Sequence, residues 1–480
     1  MKLSIYRLLG QAGNDNVLVA WIFLRFIALI YFSAFASLAV QIKGLIGVDG
    51  ILPASEYLTQ VQQILGLGLW DIPTLFWLNS SDLALVLACW VGMAAALAVL
   101  FDHFNKIGLL LCYILYLSLV QVGQAFTTYQ WDMFLLESGF LALFLTVGSP
   151  LVILLYRFLL FRFMLMGGVV KLASGDPAWS SLTALNYHFE TQPLQSPLAW
   201  YAHQLPEVWL QSATGAVLFI ELAVPFCVFM PRPFRMFAAV SFLVLQVSIM
   251  LTGSYNFFNL LTLGLCVFLL EDRDLHPWLG TRLSGQILDK SPQAGAVAQI
   301  GTGMMAVFVL TVCAALLWMT NTHQRPIQPV YGLAKFASTF ALVNGYGPFA
   351  VMTTERHEII VEGSDDGQTW LPYEFRYKPG ELIKPLSWNI PHQPRLDWQM
   401  WFAALGDWRD NPWFLRFMGK LGEGSVPVLD LLQSNPFPEH PPKFLRASFY
   451  RYRFTHWQEK SKNGQVWQRE RLGQYLPFPY

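Results

Sequence analysis

The chain has 480 residues, and its 31 Lys+Arg cancel its 31 Asp+Glu. Charged residues make up 13%, about half of the roughly 25% usual in a soluble globular chain, while hydrophobic residues reach 54% and aromatics 15%. That composition excludes a disordered protein and argues against a soluble enzyme of ordinary surface, and neutrality gives no reason to expect a nucleic-acid partner.

The neutrality is a cancellation. Residues 1–320 hold 13 Lys+Arg and 16 Asp+Glu, which leaves 31−13 = 18 and 31−16 = 15 for residues 321–480. The first part is therefore about 9% charged (29/320) and the second about 21% (33/160). This predicts a membrane domain over 1–320 followed by a water-soluble domain over 321–480.

Apolar runs that suit a bilayer, which takes roughly 20 helical residues, occur at about 17–42, 82–101, 106–127, 131–147, 150–170, 213–230, 234–252, 255–270 and 299–320. Nine helices are expected, with seven or eight as alternatives because the fourth and eighth runs are short. With a cytoplasmic N-terminus, the inside segments carry Lys2, Arg7, Lys106, Arg232, Arg235, Arg273, Arg282 and Lys290, and the outside loops only Lys43 and Lys171. That bias and an odd span count predict that residues 321–480 lie outside the cytoplasm. All five cysteines (Cys89, Cys112, Cys227, Cys266, Cys313) fall in apolar runs, where a thiol behaves as a small hydrophobe.

Beyond 321 the pattern reads as a small β-rich, sandwich-like domain. Residues 357–361 and 371–378 alternate with period two around the turn Gly363-Ser364-Asp365-Asp366-Gly367, which predicts a hairpin. A short helix is expected at 396–405, a pair near 411–433, and strands at 444–457 and 465–470.

Ionisable residues inside spans each cost roughly 2.5–3.5 kcal/mol at a helix centre. Asp132, Glu137, Arg162 and Glu221 are of this kind, as are Arg25 and Arg157. Gly148-Ser149-Pro150 predicts a hairpin of two spans. Glu137 lies 12 residues before Ser149 and Arg162 lies 13 after it, at about the same depth of 18–20 Å. An ion pair follows, either a bridge between helices or part of a polar cavity. Lys171 follows Gly167-Gly168 at the end of its span; a lysine there either snorkels or, if desolvated, becomes a candidate base. The next loop holds Trp179, Tyr187, His188, Glu190, Trp200, Tyr201 and His203. An interfacial aromatic belt accounts for its Trp and Tyr residues but not for His188 and Glu190.

No nucleophile elbow, zinc-helix motif, phosphate loop or paired Cys/His metal spacing occurs. No metal or cofactor is expected from spacing, and the sequence favours a non-enzyme.

The stretch from Tyr346-Gly347-Pro348-Phe349 to Glu355-Arg356 resembles the lipase maturation factor family. So do Val361-Glu362-Gly363-Ser364-Asp365-Asp366-Gly367, Tyr373-Glu374-Phe375 and Pro394-Arg395-Leu396-Asp397-Trp398-Gln399-Met400-Trp401. In the first half, Gln130-Trp131-Asp132, Glu137-Ser138-Gly139-Phe140 and Asn186-Tyr187-His188-Phe189-Glu190 are similar to the same family. The resemblance implies a multispan protein of the ER membrane, or of the inner membrane in a bacterium, with its C-terminal domain lumenal or periplasmic. Animal members help secreted lipases fold and assemble, so the implied partners are the lipid bilayer and a secreted client, a lipase by resemblance. Gly167-Gly168-Val169-Val170-Lys171-Leu172 is also similar to a motif of the vitamin K-dependent γ-carboxylase family, where a lysine is the proposed base.

Two readings follow. In the first, a chaperone-like maturation factor binds its client through Tyr346, Arg356, Glu362, Asp365, Arg395, Asp397 and Trp401, around the exposed edge of the 357–378 hairpin. The alternative is a carboxylase-like membrane enzyme with Lys171, His188 and Glu190 around a cavity for a lipid-like cofactor, lined by Glu137, Arg162 and Glu221. At several positions a structural role competes: Asp397 also fits a helix cap, and Trp398 and Trp401 fit a core.

Overall fold

The computed structural model describes residues 16–289 and 295–477; Lys2, Arg7 and Lys290 of the charge argument lie outside them. The first half is a bundle of α1 (Val17–Ala39), α2 (Asp82–Leu100), α3 (Asn105–Val122), α4 (Gln130–Leu145), α5 (Pro150–Ala173), α6 (Glu207–Leu222), α7 (Arg232–Thr252), α8 (Phe258–Cys266) and α9 (Ala296–Thr322). Among the described residues, seven helices are long and apolar enough to cross a membrane: α1, α2, α3, α5, α6 with its continuation to Phe229, α7 and α9. The shorter α4 and α8 are the fourth and eighth apolar runs.

Local chemistry sets the helix starts. Pro150 occupies the first turn of α5, where a missing N–H costs nothing. Ser81 Oγ accepts from Ala84 N ahead of α2 (3.4 Å). The first turn of α1 is capped from a distance: the Asp272 carboxylate accepts from the backbone of Val17 (2.8 Å), Leu18 (2.9 Å) and Val19 (3.1 Å).

After α9 the chain turns back along the bundle as α10 (Gln328–Thr339). The following residues press between α3, α4 and α5. Tyr113 Oη donates to Phe340 O, Gln121 Nε2 to Thr339 O (2.9 Å), and Tyr346 Oη to Glu137 Oε2 (2.6 Å). Glu137 is seven residues into α4, so this segment reaches about 10 Å below the bundle end that meets the C-terminal domain.

The C-terminal part is built on one antiparallel sheet with strand order β2-β1-β3-β4. Its strands are β1 (Arg356–Ser364), β2 (Leu371–Pro372), β3 (Phe444–Phe454) and β4 (Trp467–Gln474). Helices α11 (Arg395–Ala404) and α12 (Pro412–Gly422) cover it, taking the place of a sandwich's second sheet. The hairpin expected over 357–378 forms only at its turn end, where β2 pairs antiparallel with β1 at Glu362↔Pro372 and Gly363↔Leu371; its length and its exposed edge are corrected. β1 pairs along its whole length with β3, from Arg356↔Tyr452 to Ser364↔Phe444, and β2 holds only two residues. Pro372 has no N–H to give a ladder. The N–H groups of Tyr377 (2.8 Å) and Lys378 (2.9 Å) go instead to the Asp397 carboxylate. β1 is thus a central strand, buried on both faces, and not an exposed edge.

Candidate functional site

Three buried ionic clusters join the two halves. In the first, Arg395, at the start of α11, meets Asp132, in the first turn of α4, as a two-bond fork: Nη1 to Oδ2 at 2.9 Å and Nη2 to Oδ1 at 2.8 Å. Tyr116 Oη of α3 donates to the same carboxylate (2.5 Å), and Arg395 Nη1 also reaches Phe126 O (2.6 Å). Arg395 and Asp132 are 1% and 0% exposed, so the bidentate geometry has to offset their desolvation.

In the second cluster, Glu137 accepts from Arg162, from Asn344 N (2.9 Å) and from Tyr346 Oη (2.6 Å). Their near-equal spacing from Ser149 brings Glu137 and Arg162 together, and the segment after α10 supplies the remaining partners. In the third, Glu358 of β1 binds Arg356 (2.5 Å) and Lys378 (2.8 Å). Arg356 also donates to Gln192 O and to Pro193 O (3.0 Å), which ties the sheet to the loop before α6.

A cavity of about 450 Å³ lies where the ends of α5, α6, α7 and α8 meet the C-terminal part. Its walls are aromatic, with Trp131, Trp179, Trp398 and Phe349 among them, and Lys171, His188 and Glu221 lie on the same lining. Lys171 is buried in α5, and Nζ donates to Glu221 Oε1 (2.9 Å), Glu221 Oε2 (2.7 Å) and Gly167 O (3.1 Å). These contacts pair the amine with the Glu221 carboxylate and the backbone of its own helix. The His188 ring meets Phe349 edge-on (centroids 5.1 Å apart), and burial, reinforced by the Lys171 charge, pushes its pKa down to about 4. The same burial favours the neutral ring.

The third member of the alternative set is elsewhere. Glu190 faces a separate polar cleft with His203 (3.8 Å), and its carboxylate accepts from Phe454 N (2.6 Å). Burial holds its pKa above the ordinary carboxylate value. Glu137 and Arg162 do not line the cavity either. Lys171, His188 and Glu221 are brought together; Glu190, Glu137 and Arg162 belong to other assemblies.

The residues expected to meet a client differ in exposure. Tyr346, Arg356, Glu362, Arg395, Asp397 and Trp401 are all buried, and of that set only Asp365 is exposed. Glu362 holds Arg446 (2.7 Å) across the sheet, and Trp401 Nε1 donates to Thr191 O (2.8 Å). Burial raises the Asp397 carboxyl pKa. These residues are the framework behind a surface. Tyr116 and the amide pair Gln246–Asn259 (2.6 Å) were not singled out by the sequence, because a tyrosine or amide in an apolar run carries no signal of its own. Among the described residues, no group of three His, Cys, Asp or Glu is placed to hold a metal ion.

Residues 18–277 match the model of the lipase maturation factor transmembrane domain, and residues 342–477 match that of the lipase maturation factor C-terminal domain. The chain belongs to the lipase maturation factor family. It is 35% identical to lipase maturation factor 2 of Xenopus tropicalis, covering 93% of this chain and 80% of that protein. It is 34% identical to human lipase maturation factor 2 (95% and 82%) and 32% identical to bovine lipase maturation factor 1 (95% and 88%). No solved structure matches. In this member of the family, the three ionic clusters and the cavity all sit where the two family domains touch.

Proposed function

We propose that this membrane protein is a maturation factor for a secreted client, a lipase according to the names its relatives carry. The observation that carries this reading is the continuity of similarity across both family domains, which the buried Arg395–Asp132 ion pair and the Arg356 bonds to Gln192 O and Pro193 O join into one body. The C-terminal domain is proposed to lie outside the cytoplasm, a reading that an odd span count and a cytoplasmic N-terminus support. The client is proposed to meet the exposed turn around Asp365, which Asp366 stiffens by accepting from Gln368 N (2.8 Å) and Thr369 N (2.7 Å). Glu362, which accepts from Arg446 and Ser448, fixes the strand that leads into that turn.

Crosslinking in the native host followed by affinity purification tests the reading: a secreted lipase is expected to co-purify with the full chain. Recovery of the same amount with a chain ending at residue 341 would overturn the assignment of the client to the C-terminal domain. Sidedness is checked separately with Asp365→Cys. A membrane-impermeant maleimide is expected to label it only when given access to the non-cytoplasmic side, and labelling from the cytoplasmic side would reverse the topology.

A further inference from the structure

The cavity between the bundle and the C-terminal domain is large for a space that the fold leaves unfilled. Its volume of about 450 Å³ falls in the range of small-molecule sites, and it takes the head and first part of one acyl chain. One side of it is built by spans, where Phe163 and Met164 of α5, Val217 of α6 and Leu245 of α7 form an apolar barrel. Interfaces between domains are where small-molecule sites form preferentially.

The mouth is apolar as well. Val351 (68%), Phe402 (39%) and Leu405 (45%) come from two segments of the C-terminal part and are exposed at its edge. In water such a patch is a liability; beside a bilayer it is an entry for a lipid tail. The interior is polar in places, yet it carries no free charge. Lys171 and Glu221 satisfy each other, and His188 is neutral. An anionic head would have to part Lys171 from Glu221 and leave a buried carboxylate unpaired, which is strongly unfavourable. The walls also carry uncharged polar side chains, among them Gln246, Asn259 and Tyr255, that an uncharged head can meet.

We propose that this cavity binds a neutral, single-chain amphiphile drawn from the bilayer, with hydroxyl and ester groups in its head, of the monoacylglycerol class. The inference stands apart from the maturation reading and needs no client. The tail occupies the apolar barrel among α5, α6 and α7. The uncharged head sits among the indole, imidazole and amide groups under the C-terminal segments.

The test uses the full chain in phosphatidylcholine nanodiscs and a monoacylglycerol with a photoactivatable group in its chain. Crosslinks are expected on cavity residues of α5, α6 and α7. Unlabelled monooleoylglycerol is expected to compete them away, with oleate and lysophosphatidylcholine at least about tenfold weaker. Val217→Phe and Leu185→Trp, on two different elements, fill the space and are expected to lower labelling about tenfold while leaving the unfolding temperature near that of the parent. Three results would overturn the proposal: labelling spread over lipid-facing residues, labelling indifferent to both substitutions in folded protein, or oleate competing as well as the neutral lipid.

Discussion

Replacing Arg395 by methionine leaves the Asp132 carboxylate fully buried, with Tyr116 Oη as its remaining strong donor. The substitution removes two charge-assisted bonds to Asp132 at 2.9 and 2.8 Å and one to Phe126 O at 2.6 Å. Breaking a buried pair from one side costs about 3–5 kcal/mol. That is a large share of the roughly 5–15 kcal/mol that holds a typical protein folded. Replacing both partners, as Arg395→Met with Asp132→Leu, removes the stranded charge and is expected to return to within about 1–2 kcal/mol of the parent. Equilibrium unfolding of the full chain in detergent, followed by tryptophan fluorescence, measures all four corners of the cycle. Limited proteolysis reports whether the C-terminal domain has come loose. The reasoning fails if the single substitution costs under about 1 kcal/mol, or if the double substitution is as damaging as the sum of the singles.

Other expectations follow from the same contacts. Glu137→Gln strands Arg162 and weakens the bonds that hold residues 344–346; a loss of about 3 kcal/mol is expected, with new proteolytic cleavage near residue 340, and an uncleaved, equally stable variant would contradict it. A Cβ on Gly44 would stand 2.2 Å from Pro427 O, so Gly44→Val is expected to cost about 1–3 kcal/mol and to free residues 426–432 to protease, and unchanged protection would count against the docking. His188 and His392 both have pKa values lowered to about 4, each chiefly by burial. Between pH 6.5 and 4 the unfolded chain takes up protons that the folded chain refuses, so stability falls with pH, by about 2 kcal/mol per histidine at pH 5 relative to pH 8. His392→Gln is expected to remove its share of that fall, and an identical pH slope in parent and variant would refute it.

Much of this arrangement was legible in the sequence. The charge split divides membrane from C-terminal composition, and equal spacing from Ser149 puts Glu137 beside Arg162. The helix expected at 396–405 forms at Arg395–Ala404. What was not legible depends on contacts across hundreds of residues. Local alternation at 371–378 reads as a strand, but Pro372 and a carboxylate 20 residues downstream redirect its backbone donors. Arg395, Arg356 and Trp401 look like surface recognition residues because they are charged or aromatic in a polar region, yet their partners Asp132, Gln192 and Thr191 lie in the other half. Glu190 and His188 are two residues apart on a short helix, which aims them in different directions, so nearness in sequence does not place them in one site.

The central claim is that the two halves act as one body in maturing a secreted lipase. The most direct measurement is the specific activity of lipase secreted by native-host cells that lack this chain, complemented with the parent, with Arg395→Met, and with Arg395→Met plus Asp132→Leu. The account predicts that activity is lost without the chain, restored by the parent, not restored by the single substitution, and largely restored by the double. Undiminished active lipase from cells that lack the chain would contradict it.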